Sequence, residues 1–458
     1  MRTINKRILV VVIAAVVMLL ATDILMWSMF SHAEEYALHS VNDHLFDAGV
    51  LKNAGNIIDK NGMTLATSVD GERIYADDSS IRKALLHVIG DDAGFIDGGI
   101  QDTFRKELCG YSVVYGINQN ANNSIQLTLD AKLCGLAYDL LDGYKGCVGV
   151  QNYKTGEIVC LASSRSYDIY DKPTEAIEEN EDNVYDGIYI NRLFGGLYTP
   201  GSVFKCVTAM AALENLDDPW DMTFYCDGTY HTADGDVICH DVHGEVTFRE
   251  ALNQSCNVAF AQIAERVGLE NLNAAFVKAG LDRSVLTTDR IRTVSGMFNP
   301  GVTNPQSELG WAGIGQSTTL VNPYAFLNFM CAIANGGTCK QGYFVNYADD
   351  GNGKKIYETQ AVDSGIALNP DTASDLRDLL RSDVSDYYGD DMFGDVTMCG
   401  KTGTAEKDNE KSTAWFAGFS NEDDFPYAIV VVVEDSGGGL TYAAPIASRV
   451  LNELYYSD

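Results

Sequence analysis

A chain of 458 residues with 46% hydrophobic content is long enough for two or three domains with full cores. Its 64 acidic residues against 32 basic ones leave a formal charge of −32, a surface that disfavours nucleic acid and anionic lipid as partners. Eleven cysteines cannot all pair internally, which excludes a complete disulfide framework.

The amino-terminal stretch has a different character. Arg2, Lys6 and Arg7 precede the wholly apolar run Ile8–Ala21, and Ile24–Phe30 extends it past Thr22-Asp23. The whole stretch fits the roughly 20 residues that a bilayer requires, so residues 1–30 are read as a cytoplasmic tail and transmembrane anchor. A cleavable signal peptide ending near Ser31-His32-Ala33 is the competing reading. Positive charge ahead of the apolar run places the amino terminus in the cytoplasm and everything after it outside the cell membrane.

Beyond the anchor, His32–Phe46 reads as a short helix and Asn56–Ala66 as two strands about the Asn61-Gly62 turn. The stretch to about Ser124 is mixed and polar, and residues 31–125 are assigned to a small pedestal domain. At Gln126–Ala131 a strand leads into a helix capped by Asp130 and running to about Leu141. Gly146–Gln151 and Glu157–Ser163 then form a hairpin that turns through Asn152–Gly156. The acidic runs Glu175–Asp182 and Asp383–Asp391 read as exposed segments.

Thr199-Pro200-Gly201-Ser202-Val203-Phe204-Lys205 places a serine at a helix start, with a lysine on the same face one turn later. An amine so placed can accept the serine proton if burial and cationic neighbours keep it neutral. The free N–H groups of a first helical turn would also favour negative charge on an attacked carbonyl. Helical spacing of Val203, Phe204, Val207, Met210 and Ala211 predicts that much of Ser202–Asn215 is buried. Thr247–Val267 reads as a second amphipathic helix, with Ser255 and Asn257 on it or on a loop within it, and Pro323–Asn335 as a third that ends at Gly336-Gly337. Three strand-like runs follow, Val396–Thr404, Ser412–Phe419 and Tyr427–Glu434, then a last helix over about Ala444–Leu454. Residues 126–458 therefore read as one α+β domain built on an antiparallel sheet.

Most cysteines, among them Cys134, Cys147, Cys160, Cys206, Cys256, Cys331 and Cys399, lie in apolar or helical settings, where a free thiol behaves as a small hydrophobe. Cys256 serves as spacing between its neighbours, its side chain turned away. Cys226 and Cys239 differ, because His231, His240 and His243 lie in the same polar loop. Two unlinked thiols, a disulfide and a structural zinc site all remain open there, although the spacing matches no strong zinc pattern. No metal ligand is assigned. Nor does any phosphate loop, metal-hydrolase motif or basic nucleic-acid patch occur, so no cofactor is expected.

Three short motifs come in order: Ser202-Val203-Phe204-Lys205, Ser255-Cys256-Asn257 and Lys401-Thr402-Gly403. Each is weak alone, and the chain holds decoys of all three in Ser80–Lys83, Ser40–Asn42 and Lys154–Gly156. The hydroxyl of Ser255 can relay a proton to a leaving amine, and the Asn257 amide can hold Lys205 and a substrate carbonyl. Lys401 supplies a positive charge that lowers the pKa of Lys205 and attracts a substrate carboxylate. Thr402 and Thr404 can bond that carboxylate, while Gly403 lets a substrate backbone lie along the strand edge.

The ordered set resembles the signature of penicillin-binding proteins and serine β-lactamases. Asn191–Ser202 resembles the lead-in to the nucleophile of class B penicillin-binding proteins. Thr128–Asp130, Lys154–Val159, Gly313–Gln316, Ala332–Gly337, Gly400–Glu406 and Trp415–Phe419 follow in family order. The likeness covers about Gln126 to the end and only weakly Asn53–Ala66, where Ala54-Gly55 replaces the usual Arg-Gly. It implies a penicillin-binding-protein or serine β-lactamase-like transpeptidase fold, an antiparallel sheet flanked by helices. With no glycosyltransferase domain ahead of the pedestal, a monofunctional protein is expected.

The implied activity is that of a D,D-transpeptidase acting on peptidoglycan stem peptides ending in D-Ala-D-Ala, through an acyl-enzyme on Ser202 that β-lactams would trap. Ser202, Lys205, Ser255, Asn257 and Lys401 would be catalytic. Thr402, Gly403 and Thr404 would bind substrate, and the N–H groups of Ser202 and Thr404 would form the oxyanion hole. A polytopic SEDS-family glycosyltransferase is the partner that the family suggests. A β-lactamase or D,D-carboxypeptidase is the nearest rival, and a non-catalytic β-lactam sensor or scaffold is the non-enzymatic one.

Overall fold

The structure, a computed structural model, describes residues 2–39, 46–47, 50–51, 53–91, 94–96, 98–114, 116–117, 122–288, 290–300, 306–406 and 411–457. A helix over Arg2–Ser31 opens the chain, and its segment Lys6–Ser31 is long and apolar enough to cross a membrane. None of that segment is buried by the rest of the protein, which is compatible with a membrane anchor.

The helix expected over His32–Phe46 is confined to Ala33–Ala37. Arg105 Nη1 donates to the Leu38 carbonyl at 2.7 Å and so satisfies an acceptor left free at the helix end. Phe46–Asp47 instead pairs as a short strand with Val50–Leu51, and residues 40–45 lie outside the described residues.

Asn56–Ile58 and Thr64–Val69 form the hairpin expected about Asn61-Gly62. They belong to a six-stranded sheet ordered Lys355–Glu358, Val345–Asp349, Ser124–Leu127, Asn56–Ile58, Thr64–Val69, Glu72–Tyr75. Ser124–Leu127 runs parallel to Asn56–Ile58 and antiparallel to Val345–Asp349. Strands from either side of the 125/126 boundary are thus hydrogen-bonded into one sheet.

A second, five-stranded sheet is antiparallel throughout, in the order Met398–Ala405, Thr413–Ser420, Tyr427–Val433, Gly146–Asn152, Ile158–Ser164. Every residue of Thr413–Ser420 and Tyr427–Val433 is buried, so both faces of these central strands are covered. That is why Tyr-Ala-Ile-Val-Val-Val-Val reads as a continuous apolar run and not as an alternation. The helices Pro323–Ala334 and Gly439–Ser457 both lie against these strands. Lys205–Asn215 packs on Asn257–Lys278, and the turn before it packs on the edge strand Met398–Ala405.

Candidate active site

Ser202 lies in a 3-10 turn over Gly201–Phe204, and Lys205 begins the α-helix that follows. Two glycines permit the turn to seat against the edge strand. A Cβ on Gly201, which has φ +57°, would meet the Thr404 carbonyl oxygen at 2.5 Å; one on Gly403 would meet the Pro200 carbonyl oxygen at 2.7 Å. The lead-in is tied down from behind. Asn322 Nδ2 donates to the carbonyls of Leu193, Phe194 and Gly196, while Glu434 accepts from Arg192 Nε at 2.9 Å and from Tyr198 Oη at 2.8 Å.

Of the two readings of Thr247–Val267, the structure has the one with a loop inside it. Phe248–Asn253 ends before Ser255, which adopts φ +50°, and Cys256 caps a new helix, Asn257–Lys278, by accepting from Ala259 N–H at 3.4 Å. A β-carbon at positive φ carries strain that the surrounding contacts must hold. The break brings both the carbonyl and the hydroxyl of Ser255 to Lys205. Nζ lies 2.5 Å from Ser255 O, 3.0 Å from Ser255 Oγ, 2.8 Å from Asn257 Oδ1 and 3.1 Å from Ser202 Oγ. Asn257 is held in turn, donating from Nδ2 to the Ile238 carbonyl at 3.0 Å.

Lys205 is fully buried, and burial, reinforced by the positive charge of Lys401, lowers its amine to about 7. A large fraction of the amine is therefore neutral near neutral pH, with a lone pair within reach of the serine proton.

Lys401 sits on the edge strand and is 1% exposed. The acidic run Asp383–Asp391 was expected to be exposed throughout; Asp391 is, but Asp383 is completely buried beneath Lys401. Its Oδ2 lies 3.3 Å from Lys401 Nζ and accepts from Tyr388 Oη at 2.7 Å. Burial works against the Lys401 charge, but Asp383 and Tyr388 more than offset it and hold the ammonium above the usual lysine range. Burial likewise pushes the Asp383 carboxyl up to about 6, with Lys401 pulling the other way. Tyr388 Oη also accepts from Thr402 N–H at 3.1 Å and lies 3.0 Å from Thr402 Oγ1. Thr404 Oγ1 accepts from Gly439 N–H at 3.2 Å. The outer edge of Met398–Ala405 has no strand partner among the described residues.

Residues 146–452 match the family described as the penicillin binding protein transpeptidase domain. The chain belongs to this family. Among curated relatives of this transpeptidase family, it is 28% identical over 330 residues to peptidoglycan D,D-transpeptidase PbpA of Mycobacterium tuberculosis, covering 67% of this chain and 66% of the relative. Stage V sporulation protein D of Bacillus subtilis is 27% identical over 351 residues, covering 72% and 53%. The chain therefore spans two thirds or less of the length of these relatives. The D,D-transpeptidase domain of a peptidoglycan glycosyltransferase from Eggerthella lenta superposes with a TM-score of 0.77 at 28% identity, covering 88% of this chain and 98% of that one. Penicillin-binding protein A of M. tuberculosis, solved as a ceftriaxone acyl-enzyme, shares the fold at 23% identity, with a TM-score of 0.76 over 87% of this chain and 97% of that one.

Within the penicillin-binding transpeptidase fold, the structure brings together Ser202, Lys205, Ser255 and Asn257, with the Lys401–Thr404 strand packed on the turn that carries Ser202. Sequence reasoning missed Asp383 and Tyr388. Asp383 had a local signal: it continues the helical spacing of the buried Leu376, Leu379 and Leu380. Tyr388 had none, since a π-helical turn over Asp383–Tyr388 carries it back over the strand. Nor did the assignment of no metal ligand foresee that Cys226, Cys239, His243 and Cys256 converge beside the second motif.

Proposed function

We propose that the protein is a peptidoglycan D,D-transpeptidase working through an acyl-enzyme on Ser202. The observation that carries this reading is the Lys205 amine, buried, lowered to about 7 and shared between Ser202 and the Ser255–Asn257 pair. A stem peptide ending in D-Ala-D-Ala lies along the open edge of Met398–Ala405 and adds a strand there. Its terminal carboxylate faces Lys401, Thr402 and Thr404. Ser202 Oγ bonds to the penultimate carbonyl carbon as its proton passes to Lys205 Nζ, and the N–H groups of Ser202 and Thr404 meet the oxyanion. As the peptide bond breaks, a proton relayed through Ser255 neutralises the departing amine, and D-Ala leaves. An amine from a neighbouring stem then attacks the ester, surrenders its proton by the same route, and restores Ser202 with a new amide cross-link formed.

The remaining assignments follow from the same reading. Residues 1–30 are the cytoplasmic tail and retained anchor, 31–125 the pedestal and 126–458 the transpeptidase domain outside the cell. β-Lactams acylate Ser202, and a SEDS-family glycosyltransferase is the partner at the anchor and pedestal. Labelling of the detergent-purified protein with a fluorescent penicillin tests the core of it. A stable adduct on the native chain and none on Ser202→Ala is expected, with cross-linked product formed from stem-peptide donor and amine acceptor. Rapid turnover of label points to a β-lactamase, label without cross-linking to a sensor or carboxypeptidase, and no label on folded protein to a scaffold.

A further inference from the structure

Four side chains that the transpeptidase reading leaves unused meet beside the second motif. Cys226 ends the strand Thr223–Cys226, Cys239 follows Asp236–Ile238, His243 precedes Gly244–Thr247, and Cys256 caps Asn257–Lys278. Their ligand atoms all lie within 4.8 Å of one another. Pairing of Gly244 with Cys226 sets His243 beside the first thiol, so the strand register builds half of the group. His243 Nδ1 lies 3.5 Å from Cys226 Sγ and 3.5 Å from Cys239 Sγ. Tetrahedral zinc with bonds of about 2.3 Å to sulfur and about 2.0–2.1 Å to nitrogen would set such edges at about 3.6 Å. The three cysteines are free of disulfides and buried.

From these observations we infer that Cys226, Cys239, His243 and Cys256 form a closed, tetrahedral zinc site that holds the Ser255–Asn257 motif in place. Three thiolates and one imidazole are a donor set for zinc in a structural role, because all four positions come from protein and none is left for a reacting water. Binding is a proton exchange without redox change: three thiols lose their protons and three Zn–S bonds form. The backbone is already arranged for thiolates. Asn257 N–H donates to Cys239 Sγ at 3.3 Å and Ala259 N–H to Cys256 Sγ at 3.4 Å, both from the first turn of a helix that runs unbroken as far as the kink at Gly268.

The consequence for catalysis lies in the position of Cys256. Ser255 and Asn257 both contact Lys205 Nζ, and the residue between them is a ligand. Metal would clamp the strained Ser255 backbone and the helix start to the Thr223–Thr247 segment, acting on the reaction only by positioning. This second step rests on the transpeptidase reading; zinc binding itself does not.

The test begins with elemental analysis of the full-length protein purified without chelator. One zinc per chain is expected, lost in Cys226→Ser and in Cys256→Ser and kept in Cys331→Ser, a buried cysteine elsewhere. Cobalt(II) added to the stripped protein should give the intense visible bands of tetrahedral thiolate coordination. If the single variants fail to fold, stripping the native chain with a chelator replaces them: the melting temperature should fall and return with Zn2+ but not with Mg2+. A metal-free native protein with no cobalt spectrum, or a Cys226–Cys239 disulfide found by mass spectrometry, would overturn the site. Penicillin labelling of stripped and zinc-reloaded native protein tests the positioning role. Slowing by about tenfold or more on stripping, with recovery, is expected, and unchanged rates would overturn that role while leaving the site itself intact.

Discussion

Lys401 and Asp383 form an ion pair at 3.3 Å with the side chains 1% and 0% exposed, bridged by the Tyr388 hydroxyl. Neither charge reaches bulk water, so each depends on the other and on the hydrogen bonds around it. The third motif thus carries a cation whose counter-ion comes from a different element, the π-helical turn after Pro370–Ser382.

Asp383→Asn should leave Lys401 as an uncompensated buried charge. The expected loss is about 3–5 kcal/mol of stability, read from chemical denaturation. Penicillin labelling of the fraction that stays folded should slow, since the ammonium would give up its proton more readily. A variant as stable as the native chain would mean that Lys401 finds another partner.

Tyr388→Phe removes only the hydroxyl that Asp383, Lys401 and Thr402 share. A loss of about 1–3 kcal/mol follows from unpairing those buried groups. Because Thr402 faces the proposed carboxylate subsite, apparent affinity for a β-lactam should weaken more than the limiting acylation rate. Equal effects on both would place Tyr388 in the chemistry.

The Lys205 amine, lowered to about 7 by burial and Lys401, sets the sign of the pH dependence. Below that value the amine is protonated and cannot accept the Ser202 proton; above it the lone pair is free. Acylation by penicillin should therefore rise with pH through about 7, falling about tenfold per unit on the acid side. Lys205→Ala should slow labelling by about 10²–10⁴-fold. A flat pH profile would remove Lys205 as the base.

Gly403→Ala would bring a Cβ to 2.7 Å from the Pro200 carbonyl oxygen and 3.0 Å from Val203 Cγ1. Because these neighbours are backbone and a packed side chain, the strand must move off the Ser202 turn. A cost of about 1–3 kcal/mol is expected, with labelling slowed more than tenfold. Native labelling would show that the turn yields instead.

Much of the sheet could be read locally, because Tyr427–Val433 and Thr413–Ser420 are buried on both faces and show it as unbroken apolar runs. The turn at Asn61-Gly62, the Asp130 cap and the helix Pro323–Ala334 were legible for the same reason: capping and turn chemistry act within a few residues. The place of the break at Ser255 was not, since Leu252, Cys256, Ala259 and Ile263 keep helical apolar spacing across it. The Cys256 thiol caps the new helix locally, but the Ser255 carbonyl drawn to Lys205 is a tertiary effect.

The sequence by itself determined the i+3 pairing of Ser202 with Lys205, the order of the three motifs and the apolar helix Lys6–Ser31, all properties of neighbours along one element. Only the tertiary structure decided that Lys205 meets Ser255 and Asn257, that Asp383 is buried under Lys401, and that the Cys256 thiol meets Cys226, Cys239 and His243. The reason is one of range. Periodicity says which face of an element is apolar, but what lies against that face depends on how distant segments pack, and burial then decides which charge is kept and which proton is released.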